Sequence, residues 1–325
     1  MRHTVTIAAI MLLATPTALH AQARSISATD KATGAQAHPQ LLGEFGGAYA
    51  GPQAAFVERV GKRVAVQSGL SNASGDFTVT LLNSPVENAF AIPGGYVYVT
   101  RQLLALMNSE AELASVMGHE VGHVAARHST KRSTRAALGG IAAAIVGVAT
   151  KSDLAGRAAG YGSQLYTLGF SRQQEYEADS LGIRYIAAAG YTPFAAVDML
   201  AELNEETRLQ GAIAGRGTSG PTWMSTHPNG ADRVARAQKL ADATGAPDTT
   251  KTQDTAFLRM LDGLRYDDGG KVVRVVAVRP GDTIEGLSAR MAYGDHQADR
   301  FAVLNDLDPD VPLKPGSMVK LIVSR

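Results

Sequence analysis

The 325-residue sequence contains no cysteine. No disulfide can staple the fold, which must rest on a buried apolar core, and a chain of this length can bury enough surface to do so. A lipid anchor on the usual N-terminal cysteine is excluded as well. An excess of one charge is also missing. The 31 Lys and Arg against 30 Asp and Glu leave +1, which gives no support for a nucleic-acid or strongly acidic partner. The apolar stretch AALGGIAAAIVGVAT, residues 136–150, is short for a membrane span and reads as a buried or loosely packed helix, with a membrane-grazing element as the alternative. Histidine is scarce, 8 in all, yet three fall within VMGHEVGHVAARH, residues 116–128.

The N-terminus has the order charge, apolar run, small residues: Arg2, then Ile7–Leu13, Pro16, and Ala21-Gln22-Ala23 as an A-x-A cleavage signature. That is the order of a secretory signal peptide over 1–23, and it implies a mature chain in an exported, periplasm-type compartment. Residues 24–45 are polar and small and predict a flexible lead-in.

Pro52 suits a first helical turn, and Phe56, Val60 and Val64 then repeat at i+4 to about Gln67. Phe77–Leu82 and Tyr96–Thr100 predict strands of a small antiparallel sheet, punctuated by Ser84-Pro85 and Pro93-Gly94-Gly95. Ser109 and Glu112 form a capping box that opens a helix through His128. Further helices are predicted over 172–189, 194–209 and 232–243. Glycine-rich connections lie at 156–169 and 211–222, and 245–254 is a linker candidate. The fold class is α+β: a mostly helical domain over 46–268 with a small antiparallel sheet, then a small βα…β domain over 269–325.

His119-Glu120-x-x-His123 stacks two imidazoles one helical turn apart on one face. That spacing lets both reach one tetrahedral zinc ion, with Glu120 beside it able to take a proton from the attacking water. Downstream, SRQQEYEADS at 171–180 carries Glu175 and Asp179 four residues apart on a predicted helix. Glu175 can complete a His₂Glu set with an open fourth position. Asp179, one turn along, can fix the tautomer of a ligand histidine. Glu177 reads as part of an ordinary solvated face. His128 breaks the i+4 face and reads as structural or solvent-facing.

HEVGH at 119–123 with EYEAD at 175–179 resembles the HExxH…ExxAD signature of metallopeptidase family 48, gluzincin-like zinc proteases. Two further stretches agree: NAFAIPGGYVYV at 88–99 resembles the family's edge-strand segment, and STHPNGADR at 225–233 its downstream motif. The resemblance implies a zincin-type fold and one zinc ion per chain, held by His119, His123 and Glu175, with Glu120 as general base. It implies a site role for His227, either as a capping fourth ligand or in transition-state stabilisation. It also implies that Arg233 orients substrate or bridges Asp179. Asn88, Ala89 and Phe90 are candidates for backbone bonds to an extended substrate. The signal peptide points to the BepA-like and Oma-like periplasmic branch. Substrates would then be unfolded or misfolded envelope proteins, with outer-membrane assembly machinery as a further candidate partner.

The tail, with VRPGDTIEGLSARM and a final strand after Leu313-Lys314-Pro315-Gly316, resembles the LysM module, which implies binding to peptidoglycan-type glycans. Two rival readings follow. One is a zinc-stabilised chaperone or scaffold whose site His227 plugs, and the other is a cell-wall-binding protein.

Overall fold

The computed structural model describes residues 25–70, 74–131, 169–215, 223–228 and 231–325. The expected signal peptide, the apolar stretch 136–150 and most of both glycine-rich connections lie outside the described residues.

The stretch expected to be a flexible lead-in is a helix, α1 (Ala28–Glu44). The Ser27 hydroxyl accepts from the Asp30 N–H at its start. Its sequence carries little apolar periodicity, and packing supplies what propensity does not. Leu41 and the following Phe45 are buried against Phe90, Ile92 and Tyr98, and His38 Nδ1 lies 2.7 Å from the Tyr98 hydroxyl. Helix α2 (Pro52–Ala65) follows as expected, burying Val57, Val60 and Val64.

The sheet is mixed rather than antiparallel. Strands β1 (Thr78–Leu82), β2 (Ala89–Ile92) and β3 (Tyr96–Thr100) stand in the order β1-β3-β2, with β1 parallel and β2 antiparallel to β3. The Pro93-Gly94-Gly95 turn folds β2 back onto β3, so β1 can reach only the other side of β3. Gly94 and Gly95 take φ of 94° and 85° there, which side chains disfavour. Phe90, Ile92 and Tyr98 face α1, while Ala89, Ala91, Val97 and Val99 join the main core.

After α3 (Arg101–Leu106), helix α4 (Glu110–Ala125) begins at Ser109, whose hydroxyl accepts from the Glu112 N–H. Residues 112–123 are all buried, so α4 runs through the centre of the molecule. It stops at Ala125, short of His128, because Arg127 turns left-handed at φ 55°. Helix α5 (Arg172–Ala188) opens with a full capping box from Ser171 and Gln174 and lies against α4. Then come α6 (Ala195–Ile213), α7 (Trp223–Thr226), α8 (Ala231–Asp242) and α9 (Thr255–Leu261). Among the described residues, no helix is long and apolar enough to cross a membrane.

The tail is β4 (Lys271–Ala277), α10 (Ile284–Ser288), α11 (Gln297–Leu304) and β5 (Met318–Ser324), with β4 and β5 antiparallel. Its Val273, Leu287, Phe301 and Leu321 belong to the same hydrophobic core as α4. The fully buried Lys320 donates from Nζ to the carbonyls of Ala105, Leu106 and Met107 at 2.7–2.9 Å. Its cation thus meets carbonyls left open at the C-terminus of α3.

Candidate metal centre

Helices α4 and α5 bring the sequence-predicted ligands together. His119 and His123 Nε2 lie 2.9 Å apart, and each lies 3.5 Å from a Glu175 carboxylate oxygen. Short α7 leads into His227, whose Nδ1 is 3.1 Å from His119 Nε2 and 3.2 Å from Glu175 Oε1. One donor atom from each of these four buried residues falls within 4.8 Å of the others.

Hydrogen bonds around the cluster decide which ring atoms face inward. His119 Nδ1 donates to Asp179 Oδ1 at 2.9 Å, which leaves its Nε2 turned to the cluster. Burial favours the neutral His119 ring, but its bonds to Asp179 and Glu175 outweigh that and push it up to about 9. Burial and the neighbouring His119 hold His123 well below its ordinary value. Burial would raise the Glu175 carboxyl, yet His227 and His119 beside it hold it well below the usual carboxylate range. Two Nε2 atoms 2.9 Å apart need a proton or a cation between their lone pairs. A cation sharing their lone pairs would replace that proton. This donor set of imidazole nitrogens and one carboxylate is the kind that holds zinc.

Glu120 is fully buried beside the cluster. Its Oε1 accepts from the Trp223 indole N–H at 3.2 Å and lies 3.5 Å from His227 Nε2. Among the described residues its Oε2 has no hydrogen-bond partner. Trp223 stacks on His227 with ring centres 4.5 Å apart, so one side chain fixes both the Glu120 carboxylate and the histidine over it. Trp223 is the sole tryptophan of the chain. Its place four residues before His227 is the signal that could have marked it.

Arg233 is buried and bridges Asp179, one of the two roles expected of it. Its guanidinium contacts Asp179 at 2.7 and 2.8 Å and Glu175 at 2.8 Å, and it donates to the His227 carbonyl at 3.2 Å. Burial would raise Asp179, but the His119 and Arg233 bonds hold it below its ordinary value. Arg233 therefore ties Glu175, Asp179 and the His227 segment together.

Of the two readings of His128, structural or solvent-facing, the structure shows the first. His128 is fully buried with Nδ1 2.8 Å from His123 Nδ1, and its Nε2 lies 3.2 Å from Glu177 Oε2. Phe170 stacks on His123 at 3.9 Å.

In the edge strand, the backbone of Asn88 and of Phe90 is paired within the sheet. The Asn88 N–H donates to Thr100 Oγ1 at 3.0 Å, and its carbonyl accepts from the Thr100 N–H at 2.9 Å. In the β2–β3 register Phe90 pairs with Tyr98 two residues on, so Phe90 also points its backbone inward, with its side chain under α1. The backbone groups of Ala89 and Ala91 face away from β3, but Ala89 is fully buried and only Ala91 reaches a groove. Ala91 lines a groove of about 780 Å³ together with Ile92, His123, Val124, Ile26 and Asp30.

Residues 52–241 match the model of peptidase family M48. The chain belongs to that family. Over 168 residues it is 34% identical to the mitochondrial metalloendopeptidase OMA1 of Arabidopsis thaliana, an alignment covering 51% of this chain and 32% of the relative. Over 282 residues it is 27% identical to the beta-barrel assembly-enhancing protease of Yersinia pestis, covering 81% and 55%. The Escherichia coli K12 protein of the same name is 30% identical over 197 residues, covering 58% and 38%. This M48 chain thus spans less than two thirds of the length of these relatives.

Proposed function

We propose that this M48 chain is a zinc-dependent endopeptidase acting on exported or misfolded cell-envelope proteins. The observation that carries the reading is the convergence of His119, His123 and Glu175 donor atoms beside the buried carboxylate of Glu120. Bound in this set, zinc would supply Lewis-acid polarisation of the scissile carbonyl. Glu120 takes the proton of the attacking water on Oε2, which has no partner among the described residues, and returns it to the leaving amine. Asp179 and Arg233 hold His119 and Glu175 in place. The edge backbone of Ala91, at the groove, binds an extended substrate by strand addition, which favours unfolded chains. The envelope and its outer-membrane assembly machinery come from the signal-peptide signature and the names of the relatives. Casein cleavage by the purified protein, abolished by 1,10-phenanthroline and restored by zinc, tests the reading.

A second reading is a latent site. His227 supports it, because its Nδ1 already contacts His119 and Glu175 as a fourth ligand would. A chain that binds zinc yet cleaves casein only as His227→Ala would act first as a holding scaffold. The βααβ order of 271–324 supports a LysM-like module, tested by retention of the full chain on insoluble peptidoglycan.

A further inference from the structure

His119 has a carboxylate, Asp179, on its outer nitrogen, but His123 has another histidine there. The chain makes this contact by breaking its own helix. After Ala125 the backbone turns at Arg127, a non-glycine residue at φ 55°, which costs about 1 kcal/mol. His128 is thereby carried back beneath His123 instead of continuing around α4. The far side of its ring meets Glu177 of α5, two residues beyond the ligand Glu175.

The direction of each bond follows from the far end. Glu177 is a carboxylate and accepts only, so His128 Nε2 carries a hydrogen and donates it. An imidazole with its one hydrogen on Nε2 has a bare Nδ1, so His128 Nδ1 accepts across the 2.8 Å to His123. His123 Nδ1 is then the donor, and His123 Nε2 is left bare, facing His119 Nε2 at 2.9 Å. From these contacts we infer that His128, backed by Glu177, is a positioning residue that fixes the metal-binding tautomer and orientation of His123. The inference rests on the metal reading above and extends it to two residues outside the ligand set. It also gives the strained Arg127 turn a function.

The test is zinc affinity of the full chain, by competition with a chromogenic chelator, for wild type and three variants. His128→Ala removes the acceptor and weakens zinc binding by about 10- to 100-fold. His128→Asn places an amide oxygen near the lost Nδ1, accepts the same bond and retains affinity within a few-fold. Glu177→Ala, at a side chain half exposed to solvent, leaves the core intact and weakens zinc several-fold. Nitrogen NMR of the zinc-loaded wild type shows His123 protonated on Nδ1. Equal losses in His128→Ala and His128→Asn would reduce His128 to packing and overturn the inference, as would wild-type affinity in all three variants. A wild type that binds no zinc would instead sink the metal reading itself.

Discussion

A Cβ built on Gly122 would sit 2.8 Å from the carbonyl oxygen of Ala178. The helices that carry the ligands therefore cross backbone against backbone. Gly118 and Gly182 continue the crossing, since a Cβ on Gly182 would lie 2.8 Å from the His119 nitrogen. Only this close approach lets Glu175 and Asp179 reach His119 and His123. Gly122→Ala is expected to lower stability by about 1–3 kcal/mol and to weaken zinc binding with it. Denaturant unfolding and chelator competition check both; wild-type values in the two assays would mean a looser crossing than the one described.

Trp223 supplies the hydrogen bond that orients Glu120. Trp223→Phe keeps a ring to stack on His227 but deletes the indole N–H. A hydrogen bond to a charged group contributes about 1.5–3 kcal/mol, so kcat on a peptide substrate should fall by about 10-fold or more, with zinc content unchanged. Unaltered or higher kcat would show that the indole does not serve the base.

Glu87 sits buried just before β2, and burial, with Glu206 nearby, pushes its carboxyl up to about 8 from an ordinary 4.5. The folded chain keeps that proton over a range in which the unfolded chain has released it. Unfolding therefore releases a proton between about pH 4.5 and 8, and stability falls as pH rises through that window. Glu87→Gln, always neutral, should flatten the decline and melt at a higher temperature than wild type at pH 8. Parallel melting-temperature profiles for the two proteins would contradict this.

Much of the centre was legible in sequence because it is local. HEVGH needs only the helical repeat, and Glu175 with Asp179 only a second helix facing it. What was missed depends on distant or unusual geometry. Trp223 meets Glu120 across 103 positions. His128 reaches His123 only through the left-handed turn at Arg127. Asn88 looked available on an edge strand, yet its backbone is committed to Thr100. Helix α1 was hidden because its order comes from packing on Phe90 and Tyr98, not from its own pattern.

The tail reads in sequence as a small domain of its own, and in the structure Lys320 bonds it to the carbonyls at the end of α3. Lys320→Met would leave the α3 carbonyls of Ala105 and Leu106, and that of Met107, without their buried cation. The expected cost is about 3 kcal/mol or more, read as one cooperative transition at lower denaturant. An early transition of the tail alone, with the catalytic part unfolding as in wild type, would mark two independent units.

The central claim is that Glu120 is the base of a zinc peptidase, and casein cleavage by wild type beside Glu120→Gln tests it most directly. The substitution keeps His119, His123 and Glu175 and removes the proton acceptor. The account predicts cleavage in wild type and a loss of at least about 100-fold in the variant, with equal zinc content. Equal cleavage by both proteins would contradict it.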